Sequence, residues 1–263
     1  MALSRVTMAV VKRPMLVLGV FALALFGDVA EGSGASAQPV PRMLVPAYFD
    51  PPSHLWNTAL SAPAQTILIV NPNNGPGTNP DAAYQRLISR ARAGGHELIG
   101  YVYTRYGARP ISTVEGDINR WASFYGVHDI FFDEVSQGSA QLSYYRTVTA
   151  YASTHGAKVT VLNPGAVPAQ AYFGLGAIVV TFEDTYAAYQ HAHFPAWLGR
   201  EPAREQANIV YAVPDAADAR ATLAAIHSQG VGVGYVTGAG AGGSNPYDTL
   251  PPYYQSETGW LGR

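Results

Sequence analysis

Cysteine is absent from all 263 residues, which excludes disulfides, thiolate metal sites and any thiol nucleophile. Charge is scarce: Asp, Glu, Lys and Arg make up 13% of the chain, and the formal net charge is −2. With no block of basic residues, binding to nucleic acid or to an anionic membrane surface has no electrostatic footing. No G-x-S-x-G elbow is present, so the signature of an α/β-hydrolase serine nucleophile is missing as well. Long apolar runs are confined to the N-terminus. There Arg5, Lys12 and Arg13 flank an apolar stretch over residues 15–26, and Ala35-Ser36-Ala37 supplies small residues before Gln38. The pattern predicts a secretory signal peptide over residues 1–37, too short in its apolar part for a bilayer span; a retained anchor is the alternative. Cleavage leaves 13 basic against 16 acidic side chains, a formal charge of −3. The expectation is one secreted, extracellular domain over residues 38–263, a monomer free of the membrane.

The chain is rich in tyrosine, with 17 residues. Tyrosine-rich, charge-poor surfaces suit neutral ligands such as sugars, although Tyr is also ordinary packing material. Apolar runs predict strands over 43–49, 66–70, 98–103, 130–132, 158–162, 177–182, 208–213 and 232–236. Helical spacing falls over 81–93, 112–125 (with Ser112 or Thr113 as cap), 142–153 and 216–228. Eight strands with mostly helical connections give an α/β fold, a single (β/α)8 TIM-type barrel, with an open doubly wound sheet as the alternative. The Pro- and Gly-rich tail after Gly238 reads as a loop or terminal arm.

The run Asp129-Ile130-Phe131-Phe132-Asp133-Glu134 ends an apolar strand on two carboxylates. Burying an ionised carboxylate without a partner is costly, and the C-terminal ends of barrel strands are where active sites collect. The run from Ala177 to Phe182, followed by Glu183-Asp184, repeats the arrangement. Around the same rim the strand exits carry Tyr48 and Asp50, Asn71, Tyr103, Asn163, Tyr211 and Tyr235, which together with Asp184 are the candidate substrate-binding residues. Glycoside cleavage needs two carboxyl groups flanking the bond, one protonated and one ionised. The fourth and sixth strands can supply Asp133, Glu134 and Glu183 as such a set. A structural role, capping the next helix or pairing with arginine, is the competing reading.

The segments Ile69-Val70-Asn71-Pro72-Asn73-Asn74-Gly75-Pro76-Gly77, Gly100-Tyr101-Val102-Tyr103-Thr104, Phe131-Phe132-Asp133-Glu134, Asn163-Pro164-Gly165 and Phe182-Glu183 together resemble the spherulation-specific (spherulin-4-type) family, over residues 43–238. The resemblance implies a barrel-fold glycoside hydrolase. Characterised family members are fungal enzymes, secreted or membrane-anchored, that cut α-1,4-linked N-acetylgalactosamine in an exopolysaccharide. It also implies that the functional carboxylates are Asp133, Glu134 and Glu183. By family analogy the reaction retains configuration, with Asp133 as nucleophile and Glu183 as general acid/base. Glu134 then holds a sugar hydroxyl or tunes a neighbour. The short loops leave subsite specificity open.

Other motifs lead nowhere. Gly238-Ala239-Gly240-Ala241-Gly242-Gly243 fits a dinucleotide fingerprint, but no βαβ unit follows it. His191-Ala192-His193 lacks companion ligands at metal-site spacing, so neither a metal nor a cofactor is expected. His54, Trp56 and Trp121 are candidates for lining the cleft or for packing. A polysaccharide is the expected partner; a catalytically silent carbohydrate-binding barrel and a metal-dependent polysaccharide deacetylase are the rival readings.

Overall fold

In the computed structural model, which describes residues 42–62 and 66–260, eight strands form. They are β1 (Arg42–Ala47), β2 (Thr66–Val70), β3 (Glu97–Tyr103), β4 (Ile130–Asp133), β5 (Thr160–Leu162), β6 (Ile178–Thr185), β7 (Gln206–Tyr211) and β8 (Val233–Val236). Each pairs in parallel with the next, and β8 returns to β1, closing a barrel. The fold is therefore an α/β, (β/α)8 TIM-type barrel. Runs such as Thr66-Ile67-Leu68-Ile69-Val70 are apolar throughout because strands in this architecture are covered on both faces, and all five residues are buried. The expected signal peptide over 1–37 lies outside the described residues. Among those described, no helix is long and apolar enough to cross a membrane.

The outer layer holds α1 (Leu55–Ala59), α2 (Ala82–Ala93), α3 (Ile111–Tyr125), α4 (Leu142–Thr154), α5 (Tyr186–Tyr189), α6 (Ala216–Ser228) and α7 (Tyr254–Trp260), with 3-10 turns between. Asp81 and Asp215 cap α2 and α6 by accepting from two backbone N–H groups each. The expected cap on α3 is corrected. Pro110 occupies that position and no side chain caps the helix, because the extended backbone at the proline starts it one residue early and leaves Ser112 and Thr113 inside the first turn. Trp56 and Trp121 are fully buried and pack in the core instead of lining a cleft, while His54 is exposed. The Trp121 indole donates to the Tyr101 carbonyl at 2.9 Å and covers Gly100, where an added Cβ would lie 2.5 Å from the ring. Gly100 therefore faces the helix layer, and Tyr101 faces the barrel interior.

Two irregularities position the site. Val179 packs with Phe173 and Leu198 of the outer connections, and Phe182 packs against Tyr189 and Phe194, so both face outward. Strict alternation forbids two outward residues three apart. The β6–β7 register slips between Val180 and Phe182, and the extra residue, Thr181, is held by its hydroxyl on Asn208 Oδ1 at 2.8 Å. This bulge resets the alternation and turns Glu183 inward. The strand continues to Thr185, so Glu183 and Asp184 lie within β6 and not beyond it.

The second irregularity is the β8–β1 seam, which is hydrogen-bonded in register at Val233 and Gly234. Higher up, the Val236 N–H donates to Glu257 of α7 at 2.8 Å. Burial pushes the Glu257 carboxyl well above the usual carboxylate range. The tail, expected as a loop or arm, is thus an ordered closure. Its Tyr247, Leu250 and Tyr254 join the core, and the Tyr247 carbonyl accepts the Tyr48 N–H at 3.0 Å.

Candidate active site

Asp133 ends β4 in register with Tyr103, and Phe131 below it is in register with Tyr101, so all four lie on the interior face. The Tyr101 hydroxyl donates to Asp133 Oδ2 at 2.7 Å. Asn163, one residue beyond β5, donates from Nδ2 to Asp133 Oδ1 at 2.8 Å and from the same nitrogen to Glu183 Oε2. The amide cannot be turned over without loss, because its own oxygen accepts the Gly165 N–H at 3.0 Å. The Gly165 carbonyl in turn accepts the Glu183 N–H at 2.9 Å, clasping the β5 loop to β6. Two carboxylate oxygens sharing one nitrogen stand no farther apart than two hydrogen bonds end to end, roughly 5–6 Å. Glu183 Oε1 accepts from the Tyr247 hydroxyl. Tyr48 closes the floor, its ring edge-on to Tyr101 and Tyr247 at 5.8 and 5.7 Å.

The electrostatics divide the two acids. Burial first, and then the negative charge of Asp133, push the Glu183 carboxyl up to about 7, against donors from Tyr247 and Asn163 that pull it down. Burial also raises Asp133, but donors from Tyr101, the Glu134 N–H and Asn163 oppose it. Two carboxyls this close do not ionise independently, and the charge of Asp133 biases Glu183 toward its protonated form. Glu134 leaves the sheet with φ 52, in the left-handed region, and its side chain is half-buried. Burial and the charge of Asp133 raise its carboxyl, while Arg105 opposes them.

The remaining candidates divide. Tyr103 sits at the rim with the Arg109 guanidinium 4.1 Å above its ring centroid, and Arg109 is anchored by Asp117. Asp184 is exposed and accepts from the Tyr211 hydroxyl at 3.2 Å; its charge reaches Glu183. Asn71 is engaged within its own loop, accepting the Gly75 N–H at 2.8 Å. Asp50 is exposed, and its charge bears on Tyr84 of α2. Tyr235 is corrected from the rim to the interior. Its register partner is Ile209, two residues below Tyr211, which sinks it into the barrel packing where it is fully buried and offers a ligand no surface.

Two contributors went unread in the sequence. Tyr101 was within reach, because it shares a strand face with Tyr103 two residues on. Tyr247 lies in a stretch without periodicity, and nothing local marks it. His191 and His193 are exposed, and no group of three or more potential metal ligands occurs among the described residues. The arrangement brings two buried carboxyls together across a short gap, with Glu183 biased toward its protonated form; chemistry in which one carboxyl protonates a leaving group while another attacks the carbon that bears it needs such a pair. Replacing Tyr247 by Phe removes a donor that favours ionised Glu183, so the Glu183 titration should move to higher pH. NMR of labelled glutamate carboxyls reads this directly, and an unchanged or lowered midpoint would refute the Tyr247 assignment.

The profile of spherulation-specific family 4 matches residues 42–260. Spherulin-4 of Physarum polycephalum is 30% identical over 239 residues, covering 86% of this chain and 71% of that protein. Among solved structures, Aspergillus clavatus Sph3 in complex with GalNAc superposes with a TM-score of 0.73 at 26% identity, covering 86% of this chain and 98% of Sph3. A fungal endo-beta-N-acetylglucosaminidase of glycosyl hydrolase family 18 shares the fold, with a TM-score of 0.52 at 16% identity, covering 84% of this chain and 98% of that enzyme.

Proposed function

This chain belongs to spherulation-specific family 4 and is a glycoside-hydrolase-type barrel; from that premise we propose that it is a secreted, endo-acting glycoside hydrolase. Its substrate in this reading is an exopolysaccharide containing α-1,4-linked N-acetylgalactosamine or galactosamine, cleaved with retention of configuration. The observation that carries the proposal is the Asn163 amide nitrogen donating to Asp133 and Glu183 at once. That shared donor supports retention, because it keeps the two bridged oxygens within the reach of two hydrogen bonds, nearer the roughly 5–5.5 Å of retaining pairs than the ~6.5–9.5 Å at which inverting pairs admit a water. The GalNAc in the Sph3 complex supports the choice of sugar.

In the first step an oxygen of Asp133 attacks the anomeric carbon as the glycosidic bond breaks, and Glu183 gives its proton to the departing oxygen. In the second, Glu183 takes a proton from water, the water oxygen displaces Asp133, and both carboxyls return to their starting states. Buried Tyr101 holds Asp133 in line, and Tyr247 and Asn163 orient Glu183. No step draws on a Lewis acid.

A reducing-end assay on a panel of galactosamine, glucosamine and mixed polymers tests the reading. New reducing ends are expected from the N-acetylgalactosamine-containing polymers, in mid-chain products, and undiminished by EDTA. Acetate released without reducing ends, and abolished by EDTA, would replace the hydrolase with a deacetylase. Binding without either product would leave a silent carbohydrate-binding barrel.

A further inference from the structure

We propose that Tyr106 is a stacking platform for one pyranose unit beside Glu134, and that it sets the sugar preference of the site. The inference rests on the carbohydrate reading of the cleft but adds to it a residue outside the carboxylate set.

Among the described residues, Tyr106 is the large hydrophobic side chain left exposed, with 63% of its surface in solvent. A single exposed tyrosine is unremarkable by itself. Its backbone is not. Arg105 and Tyr106 are consecutive non-glycine residues in the left-handed region, with φ of 53 and 56, a conformation disfavoured for side chains of this size. Glu134, facing them across the β3 and β4 exits, is a third, with φ 52. The two turns are clasped together. The Tyr106 N–H donates to the Glu134 carbonyl at 2.6 Å. The Thr104 hydroxyl lies 2.9 and 2.8 Å from the carbonyls of Asp133 and Glu134.

Strain of this kind persists only where the surroundings enforce it, and it gathers at functional sites. Here what is enforced is the backbone that presents an aromatic ring largely to solvent, with the charges of Glu134 and Asp133 bearing on its phenol. A ring left mostly in solvent, on a turn clasped to the carboxylate-bearing exit of β4, matches the needs of a sugar. The ring face covers the apolar C–H face of a pyranose, while a carboxylate takes the hydroxyls at its edge. A galacto-configured ring gathers the hydrogens of C3, C4 and C5 on one face. The platform therefore favours galactosamine over glucosamine units.

The test measures affinity and kinetics on the whole protein. Affinity gel electrophoresis in a soluble N-acetylgalactosamine polymer, run on wild type and on Asp133→Asn to stop turnover, gives the reference. Tyr106→Ala in either background should weaken binding roughly tenfold, the scale of a lost aromatic contact, and Tyr106→Trp should preserve it. In hydrolysis the loss should fall on KM for the polymer and spare kcat. Tyr106→Asn is the discriminating variant, because Asn tolerates positive φ. It should melt no lower than wild type yet bind as weakly as Tyr106→Ala, which a purely structural tyrosine would not do. The proposal is overturned if Tyr106→Ala and Tyr106→Asn bind like their parents, if the loss is equal on a glucosamine polymer, or if no polymer retards either parent. Binding that depends on Tyr106 in a wild type that releases no reducing ends would keep the platform and remove only the hydrolase.

Discussion

Asp133→Asn should fold normally and lose at least ~10³-fold in turnover, about 4 kcal/mol of transition-state stabilisation. The amide fits the same space. Its oxygen can still accept from Asn163, and its nitrogen can face the Tyr101 hydroxyl, which rotates to accept. What disappears is the negative charge that attacks, or stabilises, the oxocarbenium-like carbon. A second consequence follows from the coupling of the pair. The charge of Asp133 helps to hold the Glu183 carboxyl up, so the variant should also lower the pH at which Glu183 titrates. Circular dichroism establishes folding, and reducing-end release from an N-acetylgalactosamine polymer gives the rate. A folded Asp133→Asn protein with near-native hydrolysis would remove Asp133 from the mechanism and leave Glu134 as the nucleophile from β4.

Glu183→Gln should be comparably inactive on the polymer, where the departing sugar oxygen needs a proton, and should recover in part on an aryl glycoside whose phenolate leaves unaided. With that substrate the first step proceeds while the second lacks its base, so a burst of phenolate should appear, and added azide should restore turnover by attacking without deprotonation. Equal loss on both substrates would show that Glu183 is not the proton donor.

The same variant carries a stability prediction of opposite sign. The folded carboxyl titrates near 7, above the ordinary glutamate range. As pH rises from about 4.5 to 7, the unfolded chain releases a proton that the folded chain keeps, so wild-type stability falls across that window and the deficit persists above it. Gln removes the buried charge, and Glu183→Gln should therefore gain in melting temperature relative to wild type as pH climbs from 5 to 8. Such exchange of stability for function is common at active sites. A difference between the two that stays constant with pH would show that Glu183 is not held in its neutral form.

Local pattern was enough for the barrel, because strands covered on both faces must read as apolar runs such as Thr66–Val70, and because such runs recur at crossover spacing. It also exposed Asp133 and Glu134, since carboxylates closing an apolar run are costly unless something holds them. Arrangement was a different matter. Sequence spacing puts Glu183 on the same side as Val179, which faces outward. The carboxyl reaches the interior because β7 imposes a bulge at Thr181. Tyr235 carries the same residue type as Tyr211 yet sinks below the rim, because register with β7 fixes its height. Glu134 leaves β4 in a left-handed conformation that the β3 turn clasps through its carbonyl. Tyr247 meets Glu183 across 64 positions of chain. Periodicity is a property of one segment and is written in its residues. Register, bulges and the docking of a distant tail depend on the partner against which each segment is packed, and so they were decided only when the barrel closed.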